Sequence, residues 1–448
     1  MAFLLLQSRQ GKKLTSLTAF VISSALFFQL INVISPNTAE AADVPALAIE
    51  AQAAILIEAE TGQILYELNK DELLPPASMA KMMSEYVILE TIEEGKLNWS
   101  DKVTVSEYSA KTGGSGGALA EGEVYTVEEL FKNMSIFSGN DATIALAERI
   151  GGSEEGFSVM MNEMAREIGL SEKAYFINAT GLDRSDLEKL NMAPASLPGE
   201  TAITAHDAAL IAQRIILDHP DALEIAQTTE AYSKADNKGV LMQNWNWMLE
   251  GWKSYNNDFA KLFSYEGLDG LKTGHTTRAG FCFTGTAERD GLRIISVVMA
   301  APTMNKRFYE TKKLLDYGFD NFEKMIVIQP KTVIEQLPAV DIKKGVAKEV
   351  GVVTENNAQF LVKKGTKLED FVITAEAADE KERIAPIKKG QVLGQFKVVL
   401  PATDGTAMEQ TVNLVAAQDA EKASWLRLFF RGIGDFFKSI GGGIKNLF

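Results

Sequence analysis

The sequence predicts a mixed α/β (α+β) body in which an antiparallel sheet meets a helical lobe, then a separate all-β domain, then an amphipathic helix at the C-terminus. Three patterns carry that prediction. Between residues 52 and 322, apolar runs of strand length alternate with stretches whose apolar residues recur every three or four positions. From Met325 to about Ala416 the pattern changes to short β-branched runs separated by turn residues. In 423–448, Trp425, Leu426, Phe429, Ile433, Phe436, Ile440, Ile444 and Leu447 return at helical spacing.

In chain order, residues 1–41 read as an export signal. Arg9, Lys12 and Lys13 precede the apolar stretch 14–34, and Ala39-Glu40-Ala41 offers a small-x-small cleavage site. The mature chain then starts near Ala42 on the extracytoplasmic side of a membrane, although the apolar length also permits an uncleaved membrane helix. Residues 42–322 form one domain. Segments 54–57 and 63–66 are expected to pair as a hairpin, with helices at 78–93, 127–137, 142–150, 154–168 and 205–217. Segments 280–288 and 292–301 form a second hairpin around Arg289-Asp290-Gly291.

Residues 323–416 make the all-β domain, with Lys-Lys-Gly recurring at 343, 363 and 388. That repeat is either a polyanion-binding device or the ordinary preference of exposed turns for lysine and glycine. Residues 417–448 hold a linker and the terminal helix. At ~100° per residue, Arg427, Arg431, Lys438 and Lys445 gather opposite the apolar stripe. The glycines and charges argue against a spanning helix, so the segment is expected to lie on an anionic membrane surface as a peripheral anchor. Packing on a partner or on the protein's own body is the alternative.

Composition narrows the function. Cys282 is the only cysteine and the three histidines (His206, His219, His275) are scattered, so neither an intrachain disulfide nor a clustered metal site is expected, and no cofactor is implied. The formal net charge is -15, and losing Arg9, Lys12, Lys13 and Glu40 with the export segment leaves -17. So acidic a body is a poor nucleic-acid binder.

Three short motifs carry chemistry. Ser78-Met79-Ala80-Lys81 places a serine at a helix start and a lysine one turn later on the same face. A serine hydroxyl needs a base within hydrogen-bond reach, and a buried lysine near other cations can have its pKa lowered enough to serve. Ser78 could equally be an ordinary N-cap. Ser138-Gly139-Asn140 stands directly before a helix, where a loop serine can relay a proton and an asparagine can orient an amide; Ser254-Tyr255-Asn256 matches the same pattern. Lys272-Thr273-Gly274 leads into the apolar hairpin, whereas its look-alike Lys111-Thr112-Gly113 opens a glycine-rich loop.

In this order the three motifs resemble the penicillin-recognising serine enzymes. More narrowly, the chain resembles the serine-type D-Ala-D-Ala carboxypeptidases, the low-molecular-weight penicillin-binding proteins, through 61–66, 76–81, 176–182 and 269–276. The resemblance also covers the signal, the trailing β domain and the terminal helix. It implies the penicillin-recognising fold and removal of the terminal D-Ala from peptidoglycan pentapeptide stems, with β-lactam antibiotics as covalent inhibitors. It makes Ser78 the acylated nucleophile, Lys81 its base, Ser138 a proton shuttle and Asn140 a holder of the substrate amide. Lys272 would supply positive potential, Thr273 would bind the terminal carboxylate, and the backbone N–H groups of Ser78 and His275, beside Gly274, would form the oxyanion hole. Arg307 is a further carboxylate partner or a surface arginine. Some relatives carry an arginine between two asparagines where this chain has Asn244-Trp245-Asn246.

Two rival enzymes and a scaffold are weighed against this. A β-lactamase adds a glutamate that activates water, but Leu187 stands where it should be. Gly113-Gly114-Ser115-Gly116-Gly117 fits the G-x-S-x-G pattern of α/β-hydrolases but lacks a helix after the serine, and reads as a flexible loop near the active-site rim. A catalytically inactive wall-binding scaffold is disfavoured because every motif residue is present.

Overall fold

The computed structural model describes residues 47–116, 118–235, 237–252, 262–401 and 407–433. The expected export signal, the second half of the terminal helix and Ser254-Tyr255-Asn256 lie outside them. Residues 43–323 form one compact unit, and the chain from Lys324 belongs to another.

The first unit is built on five antiparallel strands: β1 (Ala53–Glu58), β2 (Ile64–Leu68), β3 (Leu268–Thr276), β4 (Gly280–Arg289) and β5 (Leu292–Ala301), in the order β2-β1-β5-β4-β3. Both expected hairpins are present. Every residue of β1 is buried, because both faces of the sheet are covered. Ile55, Ile57, Ile295, Val297 and Met299 join the core of the helical lobe. On the opposite face Leu56 and Ile294 meet Gly318, where an added Cβ would stand 3.0 and 2.8 Å from their side chains. Gly318 belongs to an 18-residue helix, Met304–Asn321, capped by the Thr303 hydroxyl. The sequence reading had no helix there.

The lobe surrounds α1 (Lys81–Glu93), which is buried from its first residue through Leu89. Each fully buried Leu, Ile or Phe around it contributes about 1.5–3 kcal/mol. α2 (Val127–Lys132), α3 (Asn140–Gly151), α4 (Glu154–Glu167) and α5 (Ala205–Asp218) complete the lobe, and Met304–Asn321 is α6. Two expected helices are subdivided. The segment 78–93 opens on a 3₁₀ turn, Ala77–Ala80, before α1 proper. The segment 127–137 is α-helical only to Lys132 and then widens into a π turn, Asn133–Phe137, which ends at Ser138. Both departures sit at a motif serine, Ser78 inside the turn that opens its helix and Ser138 directly after the turn that ends its own.

The second unit has its own core, centred on Val352, Leu393, Phe396, Val398 and Leu414. Its strands are β6 (Phe322–Ile328), β7 (Ala339–Asp341), β8 (Glu349–Thr354), β9 (Ala358–Lys363), β10 (Val372–Ala377), β11 (Val392–Leu400) and β12 (Met408–Ala416). Five form an antiparallel sheet, β7-β8-β12-β11-β10, and β6 pairs with β9. Gly365 and Gly390 take positive φ (92° and 84°), so two Lys-Lys-Gly triplets end on glycines that their turns require. Residues 425–433 are helical, and among the described residues no helix is long and apolar enough to cross a membrane.

Candidate active site

Ser78 sits half-buried in the 3₁₀ turn, with no capping bond from Pro76 at the turn's start, and the fully buried Lys81 opens α1. Lys81 Nζ lies 3.0 Å from Ser78 Oγ, 2.7 Å from Asn140 Oδ1 and 3.1 Å from the Thr180 carbonyl. Burial, and then the charge of Lys272, hold the Lys81 ammonium well below its ordinary range. An amine so placed can take the Ser78 proton.

The carbonyl that receives Lys81 is aimed by its own sequence. Asn178 Oδ1 accepts from the Thr180 N–H (3.0 Å), the Thr180 hydroxyl (2.9 Å) and the Gly181 N–H (2.6 Å), a side-chain-stabilised turn. Two glycines then let the chain close on the nucleophile turn. A Cβ on Gly181 would stand 1.9 Å from the Ala77 carbonyl oxygen, and one on Gly274 would stand 2.4 Å from that of Pro76. Ala77 itself has φ 49°. The serine turn is therefore gripped between the Asn178–Gly181 turn and strand β3, which brings the backbone of Gly274-His275 beside Ser78.

Ser138 ends the π turn in the left-handed region, φ 62°, an unfavourable conformation for a residue with a Cβ. Its hydroxyl is buried with no hydrogen-bond partner among the described residues. The Asn140 amide is engaged at both ends, since Oδ1 accepts from Lys81 and Nδ2 donates to the Gly113 carbonyl at 2.7 Å. The glycine-rich loop thus lies against the site. Ser115 donates to the Phe137 carbonyl (2.8 Å) and its own carbonyl accepts from the Asn140 N–H (2.7 Å).

Lys272 and Thr273 are buried on β3, the last strand of the sheet, paired with Thr284 and Phe283. Burial pushes the Lys272 ammonium down to about 8, Glu85 opposing and Arg307 reinforcing the shift. His275 points outward and stacks on Phe281 at 4.1 Å between centroids. Arg307, on α6, is 2% exposed, which overturns the surface reading. Its Nη1 donates to the Gly274 carbonyl (3.4 Å), and burial lowers its pKa to about 10.

The structure thus brings Ser78, Lys81 and Asn140 into direct contact, with the charge of Lys272 acting on Lys81 and that of Arg307 acting on Lys272. Sequence reasoning missed the Thr180 carbonyl and Glu85, a buried carboxylate one turn beyond Lys81. Asn178 and Gly181 carried a signal, as members of a stretch already singled out. Leu187 is fully buried and Glu188 is exposed, so no carboxylate stands at the position a β-lactamase would use. Asn244 and Asn246 are buried, and Trp245 donates from Nε1 to the Phe137 carbonyl (3.1 Å) beside Ser138. Apart from these groups, Glu90, Glu93 and His219 gather donor atoms, with His219 Nε2 2.7 Å from Glu90.

The sequence and fold have relatives. A family model described as D-alanyl-D-alanine carboxypeptidase matches residues 37–303, and one described as penicillin-binding protein 5, C-terminal domain, matches 322–422. A D-alanyl-D-alanine carboxypeptidase of Bacillus subtilis is 34% identical over 393 residues, 88% of this chain and 91% of that one. Penicillin-binding protein 5 of Haemophilus influenzae superposes with a TM-score of 0.64 and 30% identity over 85% of this chain and 100% of that one. Penicillin-binding protein D2 of Listeria monocytogenes in an ampicillin-bound form gives a TM-score of 0.52 and 33% identity over 61% of this chain and 100% of that one.

Proposed function

The chain belongs to the D-alanyl-D-alanine carboxypeptidase family, and from that premise we propose that Ser78 is its acylated nucleophile and Lys81 the base that activates it. The protein is a serine-type D-Ala-D-Ala carboxypeptidase acting on peptidoglycan, and it binds β-lactams. The observation that supports the assignment most directly is the contact of Lys81 Nζ with Ser78 Oγ at 3.0 Å, in a site where burial and a second lysine favour the neutral amine.

In this reading Lys81 takes the hydroxyl proton as Ser78 Oγ attacks the carbonyl of the penultimate D-Ala. The oxyanion forms against the N–H groups of Ser78 and His275. The unpartnered Ser138 hydroxyl passes the proton to the departing D-Ala amine, and water then cleaves the ester. Lys272 and Thr273 receive the substrate's terminal carboxylate, with Arg307 adding positive potential from behind Gly274. Asn140 holds the base in place, and meets a substrate amide only if Nδ2 leaves Gly113. The catalytic domain is 42–322, the β domain 323–416, and 417–448 the linker and anchor.

The purified protein should release D-Ala from a peptide ending in D-Ala-D-Ala and nothing from the all-L peptide. With penicillin it should give an adduct on Ser78 that persists, because Leu187 leaves no carboxylate to position a deacylating water. Penicillin turnover at a rate comparable to peptide cleavage would favour the β-lactamase-like alternative.

Peripheral attachment to the extracytoplasmic membrane face is part of the same proposal. In the terminal helix Trp425, Phe429 and Phe430 are exposed (78, 57 and 61%), while Arg431 donates to the Gly345 and Val346 carbonyls, both at 3.0 Å. One expected lipid-facing cation is thus tethered to the β domain, leaving Arg427 and the aromatic residues outward. Removal of 425–448 keeps the bond from the Ala423 N–H to Lys344. It should release the signal-cleaved protein from anionic vesicles, each basic residue near the surface being worth ~1 kcal/mol, without changing peptide cleavage. A truncated chain that still pellets with vesicles would show that the helix is not the anchor.

A further inference from the structure

Glu85 follows Lys81 by four residues in α1, which sets the two side chains one turn apart on the same face of a helix buried on every side. It is 3% exposed, and its Oε1 has no hydrogen-bond partner among the described residues. The groups facing it come from three elements: Lys81 on its own helix, Ser135 of the π turn, which hydrogen-bonds it, and Lys272 of β3. Lys272 in turn faces Arg307 of α6, and Lys81 also faces Asp141 of α3 and Glu154 of α4. A lone buried carboxylate is costly unless cations offset it, and buried cations need an anion for the same reason.

We propose that Glu85 is a positioning residue for this reaction: it is the counter-charge that keeps Lys272 cationic, and so able to receive the substrate's terminal carboxylate. The inference rests on the Ser78 reading given above and adds to it the source of the site's positive potential. Lys272 needs such a partner, because burial and the like charge of Arg307 both work to discharge it, and Glu85 is the group that opposes them. The Ser135 bond places the carboxyl at the turn that delivers Ser138, and burial pushes its pKa up to about 7, so the anion is present on the alkaline side, where Lys272 would otherwise discharge.

The test is the pH dependence of peptide cleavage by full-length Glu85→Gln. Lys272 is held near 8, and loss of the anion lowers it further, so the alkaline limb of kcat/KM should move down by about one pH unit. On that limb kcat/KM should fall about tenfold, with the change in KM rather than kcat. Glu85→Asp, which keeps the charge, should restore most of the limb. Glu85→Met, apolar and of similar volume, repeats the measurement if the glutamine variant does not fold. A limb unmoved in either neutral variant, or a uniform fall in kcat at every pH, overturns the proposal. Penicillin labelling of Ser78 in the same variants tells this outcome from failure of the nucleophile assignment, since that assignment requires labelling to survive at neutral pH.

Discussion

Ser78→Ala should abolish covalent labelling by a fluorescent penicillin, and Lys81→Ala should lower the acylation rate by about 10⁴ or more while the protein still unfolds cooperatively. A nucleophile and its base act as one unit, so under the proposed roles losing either removes nearly the whole effect. The serine variant deletes only an oxygen on a half-exposed residue, and its stability should be unchanged. The lysine variant is the sharper case, because it leaves the Asn140 Oδ1 and the Thr180 carbonyl without their shared donor. Each such acceptor costs about 1–3 kcal/mol unless water enters, and the space vacated by a lysine is polar and large enough to admit it. Ser115→Ala should label like the parent, since that hydroxyl is bonded to the Phe137 carbonyl. Labelling of the Ser78 variant at the parent rate, read by gel fluorescence and intact mass, would refute the assignment.

Gly181→Ala has the second large effect. The position combines φ +79° with a virtual Cβ 1.9 Å from the Ala77 oxygen and 2.5 Å from its carbon, both backbone atoms. Strain and collision together should cost about 3–5 kcal/mol, roughly 10 °C in midpoint for a unit of this size. Acylation should fall with it, because the atom that must move carries the serine turn. Gly95→Ala is the matched control: its φ is +71°, but nothing lies within 4 Å of the added carbon. Only the conformational cost of about 1 kcal/mol should remain there. Equal midpoints and equal acylation rates in the two variants would show that the close approach at Ser78 is not needed.

These residues also mark where the sequence was legible. The strands, the helices of the lobe and the three motifs could be read because each is a local pattern: a period of two, a period of 3.6, or a short spacing. Arg307 could not, because nothing local separates an arginine one turn into a helix from a surface one. It becomes interior only when α6 closes over the sheet, and α6 itself was missed. Glu85 was illegible for a related reason, since a glutamate within a helix normally faces water, and α1 exposes almost no face. The glutamate is tolerated there by Lys272, contributed by a strand almost 190 residues later, and by the Ser135 hydrogen bond. The π turn before Ser138 left no composition signal, as it differs from the α-helix only in how the last turn is closed.

The burial of α1 has a consequence for how the enzyme can be counted. Amide protons from Lys81 to Leu89 lie inside the lobe's core, so their exchange with solvent should require opening of the whole unit rather than fraying of an end. Lys81, the proposed base, sits on that helix, and on that proposal a molecule able to react with a β-lactam is one whose lobe is closed. Titrating a preparation with a tight covalent penicillin should return the fraction of natively folded chains, and that fraction should follow the slow-exchanging core amides through a denaturant series, with no intermediate that is folded yet unreactive.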